Sequence, residues 1–369
     1  MANGYSLGVL QHQKEVSKLA TPQYKIEPYG FLASLLVAHT RHSVKNDKFD
    51  GHTQTAKIKA KQRMTVAQTQ TEKSCSNVAT LPYAEQTVSL TNVRQIAIHV
   101  EDEVIAQMDS AASNRQNAGS LSVMAEHMDS VATAAGALLS AVNQDLLTLA
   151  LANIGVNRST ASTASQAVNF PLSTTSNNLA LGATKLMSDF ALNNMKGQLV
   201  TVGAGLFHNY MMQQPAKSAD ATGLNSRIQA GNFDFFVDYD LQTIATGTGA
   251  ANRIFVYEKD AVQLVEYLEY QGFKGGKKPG ASEFGTISLP MMSAGGMIVP
   301  VEFDFQLKYN DCAQEFEYAD GESAVTLQKG YNLILSKRFG LYTIPSTAYH
   351  SGDVLAGNRG SLSFYLTNS

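Results

Sequence analysis

Apolar residues recur at alternate positions along the run from Gln86 to Glu101. Val88, Leu90, Ile96, Ile98 and Val100 fall on one face, which is the period of a half-buried β-strand. Further on the period changes. Leu121, Met124, Met128, Val131, Ala135, Leu138, Val142, Leu146 and Leu149 recur every three or four residues. This predicts one amphipathic helix over 119–154, on the order of 50 Å long. Asn117 or Ser120 suits its N-cap, and Gly155 stands where a C′ glycine belongs. Gly136 lies mid-helix and costs about 1 kcal/mol relative to alanine. Flanking positions carry Ser, Thr and Ala rather than charges, which argues against a coiled coil.

Upstream of this rod, residues 1–50 read as an arm with little core of its own. Its one apolar cluster, Tyr29 to Ala38, predicts a short helix with Phe31, Leu35 and Leu36 on a shared face. Residues 51–88 read as a long hairpin. In Thr55–Lys61 the lysines Lys57, Lys59 and Lys61 alternate with small or apolar residues, the pattern of a strand with one face in solvent. The polar stretch 65–80 forms its tip, and the return strand starts near Gln86. A long ribbon of this kind needs a partner to cover it.

Downstream, 156–181 reads as a long Ser/Thr/Asn-rich loop, longer than ordinary connections. Helices are expected at 183–195, 206–213 and 261–271. Strands are expected at 198–202, 233–239, 253–257, 297–309, 324–328, 331–342 and 362–366. A strand, a Gly-Ala-Gly turn and a helix in succession mark an α/β unit, so the class is α+β.

The chain has 369 residues, 44% of them apolar and only 16% charged, and its net charge is −3. That is long enough for one large or two smaller domains and low in charge for a free monomer. Residues 1–73 carry a net charge of +6 and the remainder −9. A basic arm on an acidic body favours contact between copies, and six charges over 73 residues are weak for nucleic acid. Cys75 and Cys312 are too few and too far apart for a metal motif or a disulfide framework, which fits a reduced compartment. No run approaches the roughly 18 apolar residues of a membrane span, and the first residues lack a signal-peptide pattern.

Four parts of the chain carry residue types that could support chemistry. Gly272-Phe-Lys-Gly-Gly-Lys-Lys-Pro-Gly280 misses the phosphate-loop spacing and reads as a basic surface loop. Asp234, Asp238 and Asp240 share one face of a strand and read as a solvated or partner-facing surface rather than a cation site. The eight histidines (His12, His39, His42, His52, His99, His127, His208 and His350) show no metal-ligand spacing. Glu101-Asp102-Glu103 suits a helix N-terminus and sets no acid/base geometry. No catalytic, cofactor-binding or metal residue is assigned, and an enzyme is not expected.

The order of elements resembles the major capsid proteins of tailed bacteriophages, whose fold is the Hong Kong ninety-seven type. The similarity spans roughly residues 50–345. It is carried by Thr87–Asp102, similar to the family's returning strand, and by Ala141–Leu149, similar to the end of its spine helix. Gln198–Phe207 and Gly231–Tyr239 resemble axial-domain strands, and Tyr331–Gly340 resembles the late return to the peripheral domain. The resemblance implies an N-terminal arm (1–50), an extended hairpin loop (51–95) and a peripheral domain (96–182) containing the spine helix 119–154 and an inserted loop. It further implies an axial α/β domain (183–296) and return strands to both domains (297–369).

The function so implied is a shell subunit that assembles with itself into the hexamers and pentamers of an icosahedral head. Scaffold, portal or decoration proteins are expected partners. Packaged double-stranded DNA would be touched weakly and without sequence preference, and no membrane is involved. The implied location is the virion, after assembly in the host cytoplasm. Two alternatives are an encapsulin-type compartment of the same fold and a β-rich surface or adhesion protein. The insertion 156–181 and the tail 346–369 have no counterpart in the resemblance, and no covalent crosslink is assigned to Lys57, Lys59 or Lys61.

Overall fold

The computed structural model describes residues 30–38, 42–44, 55–61, 83–101, 119–169, 178–195, 197–203, 228–230, 233–247, 249–270, 283–292, 298–310, 314–317, 324–327, 330–344 and 359–367. The polar tip 65–80, the helix expected at 206–213, the loop 272–280 and both cysteines lie outside these residues. So do Leu121, Met124 and Met128 at the level of side chains.

Two six-stranded mixed sheets organise the chain. The first runs β1 (His42–Val44), β10 (Val262–Tyr267), β15 (Gly330–Thr343), β12 (Ile298–Asn310) and β11 (Glu283–Met292). Strand β4 (Asn92–Glu101) joins it by pairing with β15. The second runs β5 (Gln166–Asn169), β16 (Ser361–Thr367), β9 (Arg253–Glu258), β6 (Leu199–Gly203), β8 (Phe233–Val237) and β7 (Ile228–Ala230). Two ribbons stand apart from both sheets. One pairs β2 (Thr55–Lys61) with β3 (Tyr83–Ser89), and the other pairs β13 (Gln314–Glu317) with β14 (Ala324–Leu327). Four α-helices are described: α1 (Gly30–Ala38), α2 (Gly119–Ala152), α3 (Asn178–Leu192) and the short α4 (Asp240–Ile244).

The expected rod is α2, 34 residues long. By length and composition its part Asp129–Ala152 could cross a membrane. Its apolar stripe is instead spent on the core. Val131, Ala135, Leu138, Val142 and Leu146 are at most 3% exposed, while Asp129, Thr133, Gln144 and Thr148 face outward. The helix stops at Ala152, earlier than expected, and Gly155 is not its C′ residue. Asn153 Nδ2 donates to the Leu149 carbonyl at 2.8 Å, satisfying one of the orphan acceptors. Gly155 is required for another reason: a Cβ there would lie 2.7 Å from the Arg359 nitrogen and 2.8 Å from the Ser361 carbonyl.

One buried cluster joins α1, α2 and both sheets. It includes Phe31 and Leu35 of α1, Leu138 and Leu146 of α2, Phe303, Leu335 and Phe339 of the first sheet, and Val200, Phe255 and Tyr257 of the second. The expectation that residues 1–50 have little core of their own therefore fails for α1. Phe31 and Leu35 are fully buried, and Phe31 meets Phe255 and Tyr257 edge-to-face at 5.7 and 6.1 Å.

Other expectations need correction. The run 86–101 is not one strand: it breaks at Leu90 and Thr91, so that β3 pairs with β2 and β4 with β15. Within the helix expected at 261–271, Val262–Tyr267 form strand β10 instead. Val262, Leu264 and Glu266 serve one face and Val265 and Tyr267 the other, and burial on both faces removes the alternation that marks a strand. The supposed loop 156–181 contains β5, paired in parallel with β16, and the following helix α3 starts five residues early at Asn178. Strand β11 was not expected at all.

Candidate functional site

With no catalytic residue assigned by the sequence, the features able to act are the β2–β3 ribbon and the polar joints that hold the body in shape. In the ribbon Thr55 pairs with Ser89, Lys57 with Thr87 and Lys59 with Glu85. Thr55, Lys57 and Lys59 are exposed on one face, as the period-two pattern predicted. The opposite face is buried at its base. Ala56, Val88 and Leu90 pack with Val265, Tyr267 and Tyr342 of the first sheet. Gly340 permits this approach, since a Cβ there would meet the Ser89 carbonyl at 2.4 Å and the Val88 side chain at 2.8 Å. Burial pushes the Tyr342 hydroxyl up to about 12. The base is thus a rigid mount for a ribbon whose lysine face is turned outward.

The first polar joint lies where α1, α2 and the end of β8 meet. Asp238 Oδ2 accepts the Phe31 N–H at 2.8 Å and Asn143 Nδ2 at 3.0 Å, while its Oδ1 accepts the Asp240 N–H at 2.9 Å. Asn143 Oδ1 accepts the Leu32 N–H at 2.9 Å, and its Nδ2 also reaches Asp240 Oδ2 at 3.0 Å. Two orphan donors of the α1 N-terminus are capped by side chains from elsewhere in the chain. Ser34 Oγ donates to the Phe31 carbonyl and is hydrogen-bonded to the Tyr257 hydroxyl, each at 2.6 Å. Burial raises the Asp238 carboxyl above the usual range, against the lowering effect of the Phe31 and Asn143 hydrogen bonds.

Two of the three aspartates singled out by sequence are therefore not on a solvated face. Asp234 and Asp238 are each 1% exposed. Asp234 accepts Gln198 Nε2 at 2.6 Å and Asp238 caps a helix. Alternation had placed them on one face of the strand but had not shown that helix α1 covers its end. Among the described residues no group of three or more His, Cys, Asp or Glu is placed to hold a metal. His99 Nδ1 lies 3.4 Å from Asn332 Oδ1, an ordinary contact between paired strands.

Three further joints were not legible in the sequence. Lys337 Nζ sits 2.5 Å from Glu266 Oε1, with both side chains at most 3% exposed. It also donates to the Glu302 carbonyl at 3.1 Å and lies 5.4 Å from the centre of the Phe303 ring. Asp304 accepts the Glu269 and Tyr270 N–H groups at 2.7 and 3.1 Å. Burial nonetheless pushes its carboxyl up to about 6. Arg94 and Asp145 form a bidentate pair at 2.6 and 2.7 Å that ties β4 to α2.

Together these features define an α+β body of two sheets spanned by one long core helix, carrying a laterally mounted basic ribbon. No family model and no curated protein matches the chain. Among solved structures it is similar to the capsid asymmetric unit of cyanophage A-1(L), at 12% identity and a TM-score of 0.49, covering 95% of each chain. It is similar to a chain of Mycobacterium phage Cain, at 14% identity and a TM-score of 0.43, covering 97% of this chain and 98% of that one. It is also similar to the capsid structure of cyanophage P-SCSP1u, at 12% identity and a TM-score of 0.42, covering 95% of this chain and 91% of that one.

Proposed function

We propose that this chain is a structural shell subunit, a major capsid protein that assembles with copies of itself. The observation that carries the reading is the β2–β3 ribbon. It pairs with no other described strand, and the described part of it is buried on one face while its lysine face is exposed, so it has the form of an element completed by a neighbour. The division into hairpin loop (51–95), peripheral domain (96–182) and axial domain (183–296) belongs to this proposal, with β5 of the second sheet falling in the peripheral range and β10 and β11 of the first sheet in the axial range. Hexamers and pentamers enclosing double-stranded DNA are the finer form of this proposal, with a non-enzymatic role and a virion location.

The test is electron microscopy and light scattering of the full chain expressed alone and then with its genomic neighbours. Closed shells, or rings of five and six, are the expected result. A chain that stays monomeric in both settings refutes the reading.

A further inference from the structure

Helix α1 contacts α2, β6, β8 and β10 and so stands between the two sheets. The elements that form its seat are paired without it. Strand β6 pairs with both β8 and β9, β10 pairs with β15, and α2 packs against β4 and β15. The helix fills a socket that other elements build. Two clamps fix its first turn, Asp238 on the Phe31 N–H and Asn143 on the Leu32 N–H. Gly30 fits tightly there, because a Cβ would fall 2.1 Å from the Val237 carbonyl oxygen. The clamp residues come from α2 and from the turn after β8, far apart in sequence from the helix they hold.

We propose that α1 is a plug that undocks from its socket while both sheets stay paired, and that Asp238 and Asn143 latch it. Docked, the plug fixes where the chain enters the body at Gly30. Undocked, it frees that entry point. The use of this freedom in choosing between neighbouring copies rests on the shell-subunit reading. The latch itself does not.

The experiment is hydrogen exchange on the full chain in rising, sub-denaturing urea. Amides of Leu35–Ala38 are expected to exchange through an opening with weaker urea dependence than those of Val131–Leu139 and Leu333–Phe339. Asn143→Ala is expected to speed exchange at Leu35–Ala38 about tenfold or more, for the loss of the Leu32 cap and the support of Asp238. Rates in Leu333–Phe339 should stay within about twofold. Exchange of α1 only together with α2 and β15 overturns the plug, and an unchanged α1 rate in Asn143→Ala overturns the latch. If that variant does not fold, the wild-type comparison alone decides. Shell formation does not enter the measurement, so its failure and that of the assembly reading are read separately.

Discussion

Replacing Lys337 by methionine removes the cation from a pair shielded from solvent. Lys337 is 1% exposed and Glu266 2%, and their charges meet at 2.5 Å. Glu266 Oε1 makes no aligned hydrogen bond, so the contact is a charge pair held by its surroundings. The ammonium additionally satisfies the Glu302 carbonyl and faces Phe303. Methionine keeps most of the volume but strands the Glu266 carboxylate. Breaking one side of a buried pair costs about 3–5 kcal/mol. Against a total stability of about 5–15 kcal/mol, that is a large fraction. Replacing both residues, as Lys337→Met with Glu266→Leu, removes the stranded charge and should return stability to within about 1 kcal/mol of wild type or above it. Urea denaturation of the four proteins, read as midpoint and slope, measures the cycle. The reasoning is refuted if Lys337→Met alone costs less than about 1 kcal/mol, or if the double variant is no more stable than the single one.

Asp304 supplies a prediction with a defined pH window. Its folded value of about 6 lies above the ordinary 3.8, so the folded state binds this proton more tightly than the unfolded chain. Stability from this group is fully present below pH 3.8 and is lost as pH rises toward 6, by about 3 kcal/mol in all. Asp304→Asn should flatten that part of a stability–pH profile measured by urea melts. Gly136→Ala should raise stability by about 1 kcal/mol, because it sits in a helix with nothing within 4 Å of the added methyl. Gly155→Ala should lower it by about 1–3 kcal/mol through collision with the 359–361 backbone, and thermal melts of both variants give opposite signs. Lys57→Glu with Lys59→Glu should leave the melt of the single subunit within about 0.5 kcal/mol and reduce particle yield by sedimentation, because both side chains are exposed. Deleting residues 1–50 should leave both sheets paired but lower the stability of the body by about 6 kcal/mol in a urea melt, since burial of Phe31, Leu32 and Leu35 is worth about 2 kcal/mol each.

The last of these reverses what the sequence suggested. From periodicity alone α1 was a short helix on an arm with little core, because its burial depends on Asn143, Asp238 and Tyr257, more than a hundred residues away. Where one face is buried and the other wet, the sequence was sufficient. Helix α2 and the lysine face of β2 were both read from spacing. Where both faces are buried the period disappears, and β10 was mistaken for a helix. Strand β11, with Pro290 opposite Pro300 of β12, offered no clean strand signal either. The polar joints were hidden for a related reason. A lysine at position 337 within an alternating strand looks like any outward residue until Glu266 is found across from it.

Strand β16 is synthesised after every other described element, yet it is an interior strand of the second sheet. It lies between β9 and β5, with Leu362, Phe364 and Leu366 at most 1% exposed. While a chain is still on the ribosome and short of residue 361, β5 has no described strand to pair with and one edge of β9 is open. The order of translation therefore delays completion of the second sheet until residue 367 has emerged. A nascent chain that already carries the basic ribbon and its mount on the first sheet therefore still has an unfinished second sheet.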